Sequence, residues 1–265
     1  MKGAIGTCKL CLKDGQALQM SHLVPRGVYA LCRANNAPNP NPFLITNQFS
    51  MQTSRQMQVP LLCFRCEQLL REKGEDWVIP ELAQYGSAFG FLDKLQTVQP
   101  LHNEPDFISY VLSQVPAVKV ADFVHFFVGI FWKASVHPWR KGRTDPWINL
   151  GAFSEEMRKF LLGEAPFPAA MALSVTMLPR PVTLISFHPP YETIGANGDR
   201  NGHFYVCGFN TTLWMGPNIP IEISATSIHQ APHYLTVVDN RDAITQKFRD
   251  AFAKSMVRKR ERGKR

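Results

Sequence analysis

The first 73 residues are short of negative charge: Asp14, Glu67 and Glu72 stand against nine lysines and arginines. Acids return between residues 74 and 253, where seventeen face thirteen basic side chains, and they thin out again in residues 254–265, with one against seven. The net +8 of the 265-residue chain therefore sits at its two ends, around a mildly acidic middle. The chain also has no charged segment followed by an apolar stretch at its start, since Met1 to Gly15 is polar and cysteine-bearing. This argues against a secretory signal there and predicts an intracellular, cytoplasmic protein. No long apolar run is free of charge: Val118 to Val136 is interrupted by Lys119, Asp122, His125 and Lys133, so it reads as a buried core helix and no membrane contact is expected. Internal repeats are absent. With 45% hydrophobic residues, disordered and collagen-like classes are excluded as well.

What is present divides into three textures. Thr7 to Lys73 is a polar, cysteine-bearing stretch, interrupted from Asn35 to Pro60 by Asn, Pro and Gln that predict a long loop or excursion. Trp77 to about Leu162 reads as mostly helical, with helix starts at Pro105-Asp106-Phe107, at Pro116 and at Ser154-Glu155-Glu156, the last running to Gly163. Beyond Pro166 the pattern is β. Ala170–Met177, Val182–Ser186, Phe204–Met215 and Ile219–Thr226 predict four or five antiparallel strands, and Asp239–Met256 a closing helix with Ala243, Ile244, Phe248 and Phe252 at helical spacing.

Among six cysteines, Cys8-Lys9-Leu10-Cys11 and Cys63-Phe64-Arg65-Cys66 form two CxxC pairs. Two residues between thiolates let both reach one ion, and two pairs complete a closed tetrahedral zinc site. A thioredoxin-like dithiol would leave the second pair unexplained. Cys32 and Cys207 lack such partners and read as buried thiols.

Between the pairs lies Ser21-His22-Leu23-Val24-Pro25. A CxxC knuckle, an H-[IVL]-x-P strand and a Leu-Leu-Cys-x-x-Cys helix start resemble the zinc-bearing HNH (ββα-metal) endonucleases, over about residues 7–75 only. The resemblance implies a zinc-stapled treble-clef or ββα-metal module (1–75); the textures beyond it add a body (76–257) comprising a helical segment and a mainly antiparallel β region with a C-terminal helix, then a basic tail (258–265), so the expected class is α+β. The resemblance further implies phosphodiester hydrolysis with His22 as general base, and Glu67 at the position that completes a catalytic metal site for Mg²⁺ or Mn²⁺. Ser21 stands where that family places an acid, and Gln58 where it often has Asn. Glu67 is a competent hard ligand and Ser21 a weak one, so the site is thin in carboxylates. A zinc-stabilised nucleic-acid-binding or adaptor protein without chemistry is the alternative. In either case nucleic acid, DNA foremost, is the expected partner.

Arg26, Arg65, Arg71 and Lys73 are the candidate phosphate contacts of the basic module. The tail Arg258–Arg265 and His137-Pro138-Trp139-Arg140-Lys141-Gly142-Arg143 have compositions that suit nucleic acid or a solvated surface equally. Pro232 between His229 and His233 argues against a helical metal-ligand pair, and the tryptophans read as core anchors. A protein partner or a second copy of the chain would meet the body.

Overall fold

The computed structural model describes residues 4–33, 41–45, 50–86, 88–139, 144–182, 185–195, 199–242, 245–246, 249–250 and 253. The first region is built from β1 (Ile5–Gly6), the Cys8–Cys11 knuckle, β2 (Gln16–His22) and α1 (Arg26–Leu31), then a short ladder of β3 (Phe43–Ile45) and β4 (Ser50–Gln52) in the stretch expected to be loop. Next come β5 (Gln58–Cys63) and α2 (Phe64–Leu70). β1, β2 and β5 make one antiparallel sheet.

Pro60 lies inside β5, where it can donate no ladder hydrogen bond, and the register of β2 on β5 shifts there. The irregularity frees two backbone groups, and both find partners. The Leu61 carbonyl accepts from Lys9 N–H at 3.1 Å, which ties the first knuckle to the strand. Leu62 N–H donates to the Ser21 hydroxyl at 3.1 Å. Ser21 is thus consumed by its own strand pair, β2 on β5.

After α2 the helix continues through a π turn at Arg71–Glu75 into α3 (Asp76–Glu81). Gly74 is required inside that turn. A Cβ there would come within 3.0 Å of the Phe126 backbone nitrogen, so only glycine allows the close approach.

α4 (Gly90–Leu95), β6 (His102–Asn103), β7 (Phe107–Val111), α5 (Val120–Val136) and α6 (Phe153–Leu162) follow. The expected helix at Pro105-Asp106-Phe107 is strand β7, which pairs with a strand near the far end of the chain. α5 is the buried helix expected: every residue from Phe123 to Ala134 is in the core, Lys133 included. Ser154-Glu155-Glu156 begins α6 within a residue of expectation, although no side chain caps it. The helix ends at Gly163, whose φ of 74° lets Glu164 N–H close on the Lys159 carbonyl at 2.9 Å.

β8 (Met171–Met177), β9 (Phe187–Ile194), β10 (Arg200–Val206), β11 (Phe209–Met215), α7 (Ile221–Ala225) and β12 (Tyr234–Val238) complete the body. Seven strands, in the order β6-β7-β12-β8-β11-β10-β9, form one sheet. It is antiparallel except for β12 beside β8, where Thr236 and Val237 pair parallel with Thr176 and Met177. Three expectations are corrected. Phe204–Met215 is two strands, broken at Cys207-Gly208, where both residues have positive φ. Ile219–Thr226 is helical, because Pro220 precedes its first turn and Glu222 lies within it. At the site expected for a strand over Val182–Ser186, the described residues join none, and β9 begins at Phe187. Of the closing helix, the described positions between 241 and 253 are helical, and Gln246 bonds Asp250 at 2.7 Å; the rest of it, with the tail 258–265, lies outside the described residues.

α5 lies across one face of this sheet. Phe123 and Phe127 meet edge to face at 4.6 Å, Phe131 and Phe204 at 4.8 Å, and Phe91 stacks on Phe123 at 4.8 Å. Gly202 is the contact point: a Cβ there would fall 2.9 Å from the Phe131 ring. Its strand neighbours Asn201 and His203 consequently point to the opposite face. No described helix is long and apolar enough to cross a membrane.

Candidate metal centre and adjoining charged site

Cys8 and Cys11 stand on the tight turn after β1, closed by Cys8 N–H to the Lys13 carbonyl at 3.0 Å and Leu12 N–H to the Cys8 carbonyl at 2.9 Å. Cys63 ends β5 and Cys66 lies in the first turn of α2. The four sulfurs lie within 4.8 Å of one another, and Cys11 and Cys63 are 3.9 Å apart. A tetrahedral ion at about 2.3 Å from each sulfur needs sulfurs separated by about 3.8 Å, so the donor set fits zinc. Backbone amides point at the sulfurs as well: Cys63 N–H donates to Cys8 Sγ at 3.3 Å. The Cys8 thiol is pulled down to about 4, first by the Cys66 thiol hydrogen-bonded to it and then, against the cost of burial, by backbone N–H groups, whereas the same contact pushes Cys66 up.

A residue that carries no sequence signal completes this centre from the body. Arg158 of α6, with a side chain 11% exposed, donates Nη1 to the Leu10 carbonyl at 2.8 Å and holds Glu155 through Nε and Nη2 at 2.7 Å each. Its pKa is raised, first by Glu155 and in smaller part by the charge of Cys11. A zinc ion bound by four thiolates would carry two net negative charges, and the guanidinium lies where it offsets them.

His22 closes β2 opposite Gln58 and is half-buried, its ring 6.1 Å from that of Tyr29. Burial lowers its pKa below 6.5, a hydrogen bond that the ring donates to Gln56 and the charge of Glu67 oppose this, and Lys133 and Arg26 add to the lowering. His22, Glu67 and Arg26 therefore share one neighbourhood. Arg65, Arg71 and Lys73 are exposed on the helix that follows, and Arg71 lies 4.0 Å from Glu72 and 3.9 Å from Asp76. Glu67 has one carboxylate oxygen, Oε1, that is buried and without a hydrogen-bond partner among the described residues.

Two further charged groups in this neighbourhood escape sequence reasoning. Lys133, in the middle of α5 with a side chain only 4% exposed, lies 3.8 Å from Glu75 at the end of the π turn. Burial raises the Glu75 pKa, Lys133 opposes, and Glu67 and Asp76 reinforce it. Glu75, Lys133, His125, Pro25, Leu70 and Phe126 enclose a cavity of about 10 Å³, room for about one water molecule. His125 donates Nε2–H to the Leu161 carbonyl at 3.1 Å, which leaves Nδ1 as a buried acceptor. The sequence shows Lys133 and His125 only as interruptions in an apolar run, and Glu75 only as one acid of a polar stretch.

Elsewhere, Cys32 and Cys207 come close enough to hydrogen-bond, and that contact and burial push the Cys207 thiol well up. His229 stacks on Phe167 at 4.0 Å and His233 binds the Ile228 carbonyl, with a cis Ala231–Pro232 bond between them and no helix. Trp132 and Trp139 are buried, whereas Trp147 and Trp214 are only partly so. Arg140 to Arg143 lie outside the described residues. Comparison with protein-family models, with curated proteins and with solved structures found no significant match to this chain.

Proposed function

We propose that the chain is a metal-dependent endonuclease resembling the HNH type, in which residues 1–75 form a treble-clef, zinc-stapled module that hydrolyses phosphodiester bonds, DNA foremost. The observation that carries this reading is the shared neighbourhood of His22 and Glu67, on the two strands and helix that the four-cysteine cluster pins together. His22, held neutral by burial, takes the proton of the attacking water. A Mg²⁺ or Mn²⁺ ion bound by Glu67 would supply positive charge to the departing oxygen. The Glu67 oxygen that lacks a partner fits that ligand role. Arg26 contributes phosphate affinity beside His22, and Arg65, Arg71 and Lys73 extend it along the helix.

A second reading, a zinc-stabilised nucleic-acid-binding adaptor without chemistry, draws on one observation. The Ser21 hydroxyl is occupied by Leu62 N–H and the residue is 1% exposed, so nothing at position 21 joins Glu67 as a ligand. Cleavage of supercoiled plasmid and of single-stranded DNA, with Mg²⁺ or Mn²⁺, decides between them. His22→Ala is expected to lower the rate by about 10²–10⁴-fold while DNA binding persists. Cleavage that survives both His22→Ala and Glu67→Ala overturns the site, and binding without cleavage of any substrate supports the adaptor.

A further inference from the structure

At the four-cysteine cluster two apolar side chains stand in solvent, one on each knuckle. Leu12 follows Cys11 and is 52% exposed; Phe64 follows Cys63 and is 65% exposed, so most of its ring is free to be covered. The sulfurs of those two cysteines are 3.9 Å apart, which puts the leucine and the phenylalanine at the same end of the module. Phe64 meets no other ring among the described residues, although the rings around α5 pack against one another. Leu12 has a φ of 58°, a left-handed conformation that glycine or asparagine adopts at less cost than leucine, and it gains no burial in return. A strained surface leucine beside a surface phenylalanine is unfavourable in the free protein and favourable once a ligand covers both.

The charge around them has one sign. Lys9, Lys13 and Arg65 are exposed and take part in no ion pair among the described residues. From Thr7 to Cys66 the single acid is Asp14, and its carboxylate accepts a hydrogen bond from the Thr7 hydroxyl. The charge of Lys9 also adds to the lowering of the His137 pKa that burial begins, so the start of the aromatic and basic string after α5 reaches the same edge.

We propose that this edge binds single-stranded nucleic acid, with an unpaired base stacked on Phe64 against Leu12 and the flanking phosphates on Lys9, Lys13 and Arg65. Cations set around an exposed ring match the alternation of flat base and charged phosphate along a single strand. A duplex offers its phosphates but keeps its bases stacked on one another, so it satisfies the cations alone. An acidic peptide likewise satisfies the cations and brings no flat ring to the phenylalanine. Phe64 precedes Glu67 by one turn on the same side of α2, which sets the stacked base beside the proposed catalytic residues. The contact rests on the nucleic-acid binding common to the nuclease and adaptor readings, and adds to it the class of strand.

Fluorescence anisotropy of the full chain, in buffer free of Mg²⁺ and Mn²⁺, tests the contact with a thymidine strand, an abasic strand and a duplex of equal length. The thymidine strand is expected to bind at least about tenfold more tightly than the abasic one. Phe64→Ala should lower affinity for the thymidine strand by about 10–100-fold and leave the abasic strand unaffected, with Phe64→Trp retaining tight binding. Leu12→Asn should weaken the same complex while the melting temperature holds or rises. Lys9→Gln with Arg65→Gln should flatten the slope of log affinity against log salt by about 1.4, at about 0.7 per phosphate contact. Equal binding of the thymidine and abasic strands, or a Phe64→Ala chain that binds as the parent does, overturns the stacking contact. Capture of polyglutamate but of no oligonucleotide also overturns it and assigns an acidic protein partner. Failure to bind any nucleic acid overturns the nucleic-acid reading and this contact together, whereas selective strand binding without cleavage upholds the contact and overturns only the nuclease.

Discussion

Around the four cysteines the interior is made of sulfur and a few aliphatic side chains, among them Leu10, Leu23 and Leu62; around α5 it is made of phenylalanine, with Phe91, Phe123, Phe127, Phe131 and Phe209 all fully buried. The first region is small, its strands are short and irregular, and its four-cysteine cluster could hold a metal that fixes its shape. The second region buries large rings in mutual contact, each worth about 1.5–3 kcal/mol in transfer from water. One part of the molecule is held at a point, the other over an area. A point fails all at once, whereas an area fails by increments.

The comparison breaks most visibly at the metal. Cys66→Ser, or prolonged chelation, removes a contribution of about 10–16 kcal/mol if the site behaves as small structural zinc modules do. Hydrogen exchange should then become fast across β1, β2, β5 and α2 while β8, β10 and β11 stay protected. If the sheet loses protection in step, Arg158 and the π turn couple the two regions into one cooperative unit, and the contrast fails. A smaller effect is expected in the area-held region. Phe127→Ala should cost about 3–5 kcal/mol and lower the Tm by about 10 °C, at about 2–4 °C per kcal/mol for a chain of this size, with zinc content unchanged.

The smallest expected effect is on pH dependence. Burial, helped by His233, pulls His229 down to about 4 from its ordinary 6.5. Between those values the unfolded chain binds a proton that the folded chain refuses, so stability falls as pH drops through 6.5 and levels off below about 4. Melting temperatures from pH 7.5 to 4.5 should decline less steeply in His229→Gln than in the parent. Parallel declines would remove His229 from the account.

The same contrast explains what was legible in the sequence. The cysteine cluster was legible because its information is local: two spacings of two residues and a helix start. The long core helix was legible from its apolar run, and the α+β class from the change of texture beyond Pro166. β7 was not, because Pro105-Asp106-Phe107 satisfies the local rules for a helix start and only pairing with β12 overrides them. Lys133 was hidden for a similar reason. A single cation in an apolar run looks like a helix end in solvent, and its meaning comes from Glu75, which belongs to another element. Ser21 shows the opposite case: the departure from the expected acid was visible at once, but the Leu62 amide that its hydroxyl accepts, beside the register shift of β2 on β5, was visible only in the paired strands.

The π turn at Arg71–Glu75 has a consequence for how the helix around it is phased. One extra residue in a turn rotates everything after it by about 100° relative to an uninterrupted α-helix. Leu70, before the turn, and Val78, after it, are both buried, and Trp77 meets Phe91 and Phe123 edge to face at 6.0 and 6.3 Å. The inserted residue thus works as a phase corrector: it lets one continuous helix serve the sulfur-held region with one stripe and the phenylalanine-held region with another, and it leaves Glu75 at the seam between them.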